Sequence, residues 1–366
     1  MACTVHDITH YLETIAPPAY QADYDNSGLQ VGNPDALLTG VLITLDITDE
    51  VLQEAQEKNC NLVIAHHPLI FTPIKKITTY NPITHTIMRA LKDNINLYAL
   101  HTNIDHIAEG ISKTLADKLR LTDLEVLAPL PDTHHLLTTY LPTDAVEKVK
   151  KALFQAGAGT IDDYQACSFA SKGEATFQPK NETNPHIDTK NQCSYFEETC
   201  LRTIVPTHHK KQVIQALIKS HPHQKPSYHF QTLSQHQSNL GAGMIGSLPE
   251  PLTPNDFLQH VKTQLNLTQL RYTLSPHSLI QRVALCGGSG SSLITHAYKA
   301  KAHAFITADL KYHQFFQALN NLMLLDIGHY ESEVGFKSLI YKLLSKKFYN
   351  IALQSSTTYT NPIRYQ

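Results

Sequence analysis

The chain has 366 residues, with 42% apolar and 17% charged residues and a formal net charge of −2. At this length a single hydrophobic core rarely organises the whole chain, so we expect two domains. The near-neutral charge argues against a nucleic-acid protein held by phosphate contacts. The six cysteines form no Cys-x-x-Cys pair, which excludes a zinc ribbon and a dithiol redox motif.

The sequence shows neither a secretory leader nor a membrane span. Residues 1–7 lack a basic region followed by an apolar core, and no run of about 18 apolar residues occurs. We therefore expect a soluble, cytoplasmic protein.

The first part of the chain alternates predicted helices and strands. Residues 7–16 space their apolar side chains like one face of a helix, and residues 40–45 form an apolar strand. Thr48 can cap a helix over residues 50–58, and residues 61–65 form the next strand. The order of strand, helix and strand predicts a βαβ unit.

Two histidines and a proline, His66, His67 and Pro68, end the second strand of this unit. Open α/β sheets place their sites at the carboxyl ends of strands, and Pro68 biases His67 toward extended backbone. Successive side chains then point to opposite sides, so each histidine can reach a different ion of a close pair. The pairs at residues 134–135 and 208–209 lack a preceding strand and are weaker candidates.

Two further predicted strands end in residue types that bind metals. One strand runs into His101 and Asp105, and the strand at residues 322–327 runs into His329 and Glu333. His329 and Glu333 are four residues apart, so at the start of a helix both side chains leave from one face. One such strand end is usually a capped strand with a satisfied histidine, but three together predict a metal site.

The pattern changes between about residues 128 and 236, where short strands and helices alternate with polar loops and no strand ends in such ligands. We interpret this segment as a small inserted α+β domain, because the earlier βα pattern resumes after it. The predicted organisation is an α/β metal-binding domain of residues 1–127 and 237–366 with an insertion at residues 128–236.

A glycine-rich turn, Gly287-Gly288-Ser289-Gly290, is predicted between the strand at residues 281–286 and a helix. Such a turn exposes backbone amides and favours an anion. The stretch matches neither the P-loop nor the dinucleotide fingerprint. A phosphate cradle and a tight turn without a ligand both stay open as interpretations.

The predicted ligands also indicate the chemistry. Mixed nitrogen and oxygen ligands without a thiolate suit zinc, iron or manganese, and we expect zinc. Between two ions about 3.5–4 Å apart, Glu333 can bridge while a bound water is acidified to hydroxide, which is the chemistry of hydrolysis. His101 or His313 could orient the ligands or transfer protons.

Three motifs carry a resemblance to a known family: Ala65-His-His-Pro-Leu-Ile-Phe71, His101-Thr-Asn-Ile-Asp105 and Gly328-His-Tyr-Glu-Ser-Glu333. They resemble the GTP cyclohydrolase 1 type 2 homologue family, also called the Nif3-like dinuclear metal centre family. The resemblance covers nearly the whole chain, including residues 25–30 and the glycine-rich turn.

The resemblance implies several properties. Two divalent ions would be bound in each chain by His66, His67, Asp105, His329 and Glu333, with Glu333 as the bridge. The chains would form a toroidal homohexamer with the metal sites facing an internal cavity. The middle segment resembles the inserted PII-like or CutA-like domain of the longer bacterial members.

These observations predict a dinuclear metal-dependent hydrolase that acts on a small phosphorylated or nucleotide-like substrate. The family name suggests ring-opening of GTP, but no set of residues that would read guanine is visible. One alternative is a non-catalytic metal-binding ring with a regulatory or scaffold role. Another is a ring that threads nucleic acid, which would need a basic lumen.

Overall fold

The computed structural model describes residues 3–161, 164–177, 194–234, 239–318 and 321–365. The chain divides into two compact units, Met1–Leu130 with Ser238–Gln366 and Pro131–Gln237. The first unit is therefore discontinuous in sequence. Within the described residues, no helix is long and apolar enough to cross a membrane.

The N-terminal segment of the first unit alternates strands and helices. In chain order these are α1 (Val5–Ile15), β1 (Gly28–Val31), β2 (Val41–Thr44), α2 (Asp49–Glu57), β3 (Leu62–Ala65), α3 (Pro82–Lys92), β4 (Asn96–Ala99), α4 (Thr102–Asp105), α5 (Ile111–Lys118) and β5 (Thr122–Pro129). The Thr48 hydroxyl accepts a hydrogen bond from the Val51 amide and caps α2, as predicted. Strands β2, β3 and β4 pair in parallel, which confirms the βαβ order.

The described part of the second unit is a four-stranded antiparallel sheet with two helices. Its elements are β6 (His134–Leu141), α6 (Val146–Gln155), β7 (Ser168–Phe177), β8 (Ser194–Pro206), α7 (Lys210–Ser220) and β9 (Tyr228–Leu233). The strands lie in the order β7, β8, β6, β9. With the chain order βαββαβ, this is a ferredoxin-like arrangement. Leu137, Val149, Leu153, Leu201 and Val213 belong to its own hydrophobic core.

The C-terminal segment returns to the first unit. Its elements are β10 (Gly241–Leu252), α8 (Pro254–Leu265), β11 (Arg271–Tyr272), β12 (Ile280–Ser289), α9 (Ile294–Lys299), β13 (Ala304–Ala308), α10 (Tyr312–Phe315), β14 (Met323–Asp326), α11 (His329–Glu333), α12 (Phe336–Lys347) and β15 (Leu353–Ser355). Strand β12 continues through Gly287, Gly288 and Ser289, so the prediction that it ends at residue 286 was wrong. A register shift between Leu285 and Ser289, with Gly288 at a φ of 61°, keeps the strand paired to β13.

Two sheets organise the first unit, with the strand orders β1-β4-β3-β2-β15 and β11-β14-β13-β12-β10-β5. In each sheet three neighbouring strands run parallel, β2 to β4 in the first and β12 to β14 in the second. The two faces of the first sheet pack into separate cores, shown by Ile64 on one face and Val63 on the other. Burial on both faces explains why these strands read as continuous apolar runs.

Candidate metal centre

The predicted ligands come together at the carboxyl ends of parallel strands from both sheets. His66 and His67 follow β3, while His329 and Glu333 begin and end α11, just after β14. One ligand atom from each of His66, His67 and His101 lies within 4.8 Å of the others, and the same holds for His67, His329 and Glu333. The structure thus places a cluster that could hold metal where the sequence predicted one.

Glu333 lies at the centre of this cluster. Its side chain is buried, and its Oε2 atom lies 2.9 Å from Nε2 of His67 and 3.0 Å from Nε2 of His329. Its other oxygen, Oε1, lies 3.5 Å from Nε2 of His66. The two oxygens of one carboxylate therefore face different imidazoles, Oε2 those of His67 and His329 and Oε1 that of His66.

Hydrogen bonds fix the orientation of each imidazole. Nδ1 of His66 lies 2.8 Å from the carbonyl oxygen of Leu100, which can only accept, so Nδ1 carries the hydrogen and the neutral ring keeps a lone pair on Nε2. Three carboxylates accept in the same way from the other rings. The pairs are His67 with Asp46, His101 with Asp25 and His329 with Asp309, each with 2.7 Å between Nδ1 and oxygen. Metal-binding histidines are typically held like this.

The spacing of His67, His329 and Glu333 fits one bound ion. The two Nε2 atoms lie 3.1 Å apart, so two lone pairs and a carboxylate converge on the same space. Such an arrangement needs a proton or a cation to be stable. Ligand atoms bound to one tetrahedral zinc at 2.0–2.1 Å would lie about 3.3 Å apart, close to the distances observed.

A second group of atoms also fits a cation. Nε2 of His66 and Oδ1 of Asp105 are buried and have no hydrogen-bond partner among the described residues. They lie 3.9 Å apart. An unsatisfied buried polar atom costs about 1–3 kcal/mol, so two such atoms facing each other call for a ligand. A divalent cation between His66, Asp105 and Glu333 would satisfy both.

The pKa values show how strongly the carboxylates favour positive charge here. Burial alone would lower the pKa of His67, but Asp46 and Glu333 outweigh it and raise the pKa to about 10. Burial also opposes protonation of His329, whose pKa Glu333 and Asp309 raise to about 9. Burial raises the pKa of the Asp105 carboxyl. The site therefore attracts cations, and protons and metal ions compete for the same lone pairs.

The glycine-rich stretch serves the same cluster. A Cβ atom on Gly288 would come 2.1 Å from Oε1 of Glu333, so only glycine lets the strand approach this carboxylate. The amide of Gly288 donates to Oγ of Ser332 at 2.9 Å, and that of Gly290 donates to Oγ1 of Thr307 at 2.8 Å. The amides of Gly288 and Gly290 are therefore engaged internally and are not available to an anion. The anion cradle predicted at Gly287, Gly288, Ser289 and Gly290 stays a prediction.

The two candidates for proton transfer differ in position. His101 lies in the cluster itself, among His66 and His67. His313 is exposed on α10, where its ring contacts Tyr312 and Phe316, and no contact with the cluster is recorded among the described residues. The structure thus brings His101 to the site and leaves His313 outside it.

Sequence reasoning missed the three carboxylates that orient the rings. Asp46 follows β2 closely, Asp309 follows β13 directly, and Asp25 precedes β1. A signal for the first two was present, since each lies at the carboxyl end of a parallel strand, as the ligands do. Nothing in the spacing told which histidine each would hold.

A cavity of about 430 Å³ lies beside His329, and Arg271, Asp309, Asp326 and Tyr365 are among the residues that line it. The guanidinium of Arg271 is paired with Asp326 and lies 5.5 Å from the centre of the Phe315 ring. More than half of the Arg271 side chain stays exposed. The cavity therefore presents one guanidinium group and two carboxylates next to a candidate ligand.

Comparison with known proteins agrees with the motifs. The family model described as Duf34/NIF3 (NGG1p interacting factor 3) matches residues 3–362. The GTP cyclohydrolase 1 type 2 homolog of Bacillus subtilis is 35% identical over 364 residues, covering 98% of this chain and 97% of the relative. Its counterpart from Halalkalibacterium halodurans is 34% identical over 363 residues, covering 98% of each.

A solved structure extends the agreement to the fold. The crystal structure of a Bacillus cereus protein related to NIF3 matches with a TM-score of 0.80 at 32% identity, and 100% of each chain is covered. The resemblance found in the three sequence motifs is thereby confirmed. This chain belongs to the Duf34/NIF3 family.

Proposed function

We propose that this protein is a dinuclear metal-dependent hydrolase acting on a small phosphorylated or nucleotide-like substrate. The observation that carries the proposal is the buried Glu333 carboxylate, whose two oxygens face separate groups of ligand atoms. His67 and His329 would hold one ion with Oε2, and His66 and Asp105 would hold the other with Oε1. A carboxylate shared between two ions is typical of two-metal hydrolytic sites.

Two divalent cations, for which we expect zinc ahead of iron and manganese, would supply charge that polarises a phosphoryl or carbonyl group and acidifies water. The chain itself orients the ligands and handles protons. Burial would favour protonation of Asp25, but hydrogen bonds from His101 and Thr102 hold its pKa well below the usual range. An ionised Asp25 keeps the His101 hydrogen on Nδ1, so that its Nε2 can take up or release a proton at the cluster.

The cavity beside His329 supports a small anionic substrate. Its volume of about 430 Å³ lies within the range of small-molecule sites. Arg271 has five N–H donors in a planar fork that matches carboxylate and phosphate groups, and Asp326 engages only part of it. We assign Arg271 the role of binding an anionic group of the substrate.

Assembly and compartment belong to the same proposal. The motif resemblance supports a toroidal homohexamer, which light scattering would report as six times the 41.0 kDa chain mass. The ferredoxin-like topology supports a PII-like or CutA-like role for the inserted unit. The described cysteines are free thiols, in keeping with a protein of the reducing cytoplasm.

The proposal is tested by turnover. Protein loaded separately with zinc, manganese or ferrous iron is offered GTP and a panel of phosphate mono- and diesters, beside Glu333→Gln. We expect metal-dependent hydrolysis of at least one compound, lost in the variant, and a raised KM for it in Arg271→Ala. Full metal loading without turnover of any compound would contradict a hydrolase and favour the metal-binding scaffold instead.

A further inference from the structure

The C-terminal segment, defined here as residues 356–361, contacts helix α2 at its start. Three hydroxyl groups donate to the carboxylate of Glu54, which is only 7% exposed. They belong to Ser356, Thr357 and Thr358, at 2.5, 2.9 and 2.7 Å. The amides of Thr357 and Thr358 donate to the same carboxylate. One buried acid therefore fixes the start of the segment.

The end of the segment reaches the groups that support the metal centre. Oγ1 of Thr360 donates to Oδ2 of Asp46 at 2.5 Å, and the other oxygen of Asp46 accepts from Nδ1 of His67 at 2.7 Å. The side-chain amide of Asn361 donates to the carboxylate of Glu331 on α11, the helix that carries His329 and Glu333. Thr360, Asp46 and His67 thus form a continuous hydrogen-bonded chain.

The comparable carboxylate at His101 is held differently. Asp25 accepts from the amide and hydroxyl of Thr102, the residue next to His101 in sequence. For the Asp46 carboxylate, the hydrogen bonds recorded among the described residues come from His67 and from Thr360, which is 314 residues away. The rotation of this carboxylate therefore depends on the C-terminal segment.

We propose that Thr360 is a positioning residue of the metal centre. By fixing the Asp46 carboxylate, it sets the ring orientation and tautomer of His67, and so the affinity for the ion held by His67 and His329. The inference rests on the proposed metal centre, and it assigns the C-terminal segment a part in metal binding.

The test measures zinc affinity by competition with a chromophoric chelator. Thr360→Val keeps the side-chain volume and removes the hydrogen-bond donor. We expect one of the two ions to bind about 10-fold more weakly, as when other groups that orient a metal ligand are changed. Thr360→Ser should restore the zinc affinity. The matched control is Thr358→Val, which removes a hydroxyl of the same segment that donates to Glu54 instead of Asp46. It should leave zinc affinity unchanged.

Thermal unfolding of the metal-free variants separates stability from binding. The inference is supported if Thr360→Val binds zinc more weakly than Thr358→Val while the two metal-free variants have similar stability. Equal zinc affinity in wild type and Thr360→Val, or equal losses in both valine variants, would overturn it while leaving the metal centre intact. A wild-type protein that binds no zinc would overturn the metal centre and this inference together.

Discussion

Gly288 shows how closely a single backbone position is matched to the candidate site. A Cβ there would lie 2.1 Å from Oε1 of Glu333, and its φ of +61° is unfavourable for other residues. We predict that Gly288→Ala displaces the carboxylate and weakens metal binding at least about 10-fold. Metal content after dialysis, measured by mass spectrometry, reports the change.

Gly173→Ala is the matched control, because no atom lies within 4 Å of an added Cβ at that position. It should keep the metal content of the wild type. Retention of the full metal content in Gly288→Ala would show that Glu333 does not need its present position.

At the level of residues, the sequence predicted the candidate ligands better than the carboxylates that orient their rings. His66, His67, His329 and Glu333 are recognisable because strand ends and helical spacing aim them at one place. The orienting hydrogen bonds of Asp46 and Asp309 join groups from different strands, so they depend on tertiary packing. His101 and His313 looked alike in sequence, and only the fold separates them.

At the level of elements, helices with local signals were predictable. The cap at Thr48 depends on a few adjacent residues, and the helix that it begins forms as expected. Strand β12 was not predictable beyond residue 286, because glycines normally favour a turn. Pairing with β13 and close packing against Glu333 keep this stretch in the strand, and neither is a local property.

The contact between α2 and the C-terminal segment should contribute strongly to stability. Glu54 accepts hydrogen bonds from three hydroxyl groups, two amides and Lys58. Glu54→Gln removes the charge and sets an amide group against these donors, so we predict a loss of about 2–3 kcal/mol. Thermal unfolding of metal-free protein at neutral pH measures it, with the exposed Glu57→Gln on the same helix as control.

The effect should depend on pH in a defined direction. Burial works against ionisation, but hydrogen bonds from Lys58 and the C-terminal segment hold the pKa of Glu54 well below its ordinary value of 4.5. The stabilisation is therefore complete above that value and is lost as pH falls through the folded-state pKa. The stability difference between wild type and Glu54→Gln should shrink below about pH 4.5. A difference that grows on acidification would contradict this assignment.

At the level of the whole molecule, the chain passes from the first unit to the second and back at the ends of two paired strands, β5 and β10. Pro129 of β5 lies opposite Gly241 of β10, and the Leu130 amide donates to the Leu240 carbonyl. A two-residue Asn-Gly turn in place of residues 131–239 would close a hairpin. We predict that this shortened chain folds and retains its metal.

Circular dichroism and metal content check the excision. A shortened chain that is unfolded, or folded without metal, would show that the first unit depends on residues 131–239. The sequence predicted an insertion from a change in pattern, but the paired strands at its ends are visible only in the fold.

The most direct test of the account is the metal content per chain of protein purified without added metal or chelator. We predict two ions per chain in the wild type, loss of metal in Glu333→Ala, and full retention in His313→Ala, which changes an exposed histidine away from the cluster. Wild-type protein that carries no metal and takes up none when it is added would contradict a metal centre at Glu333.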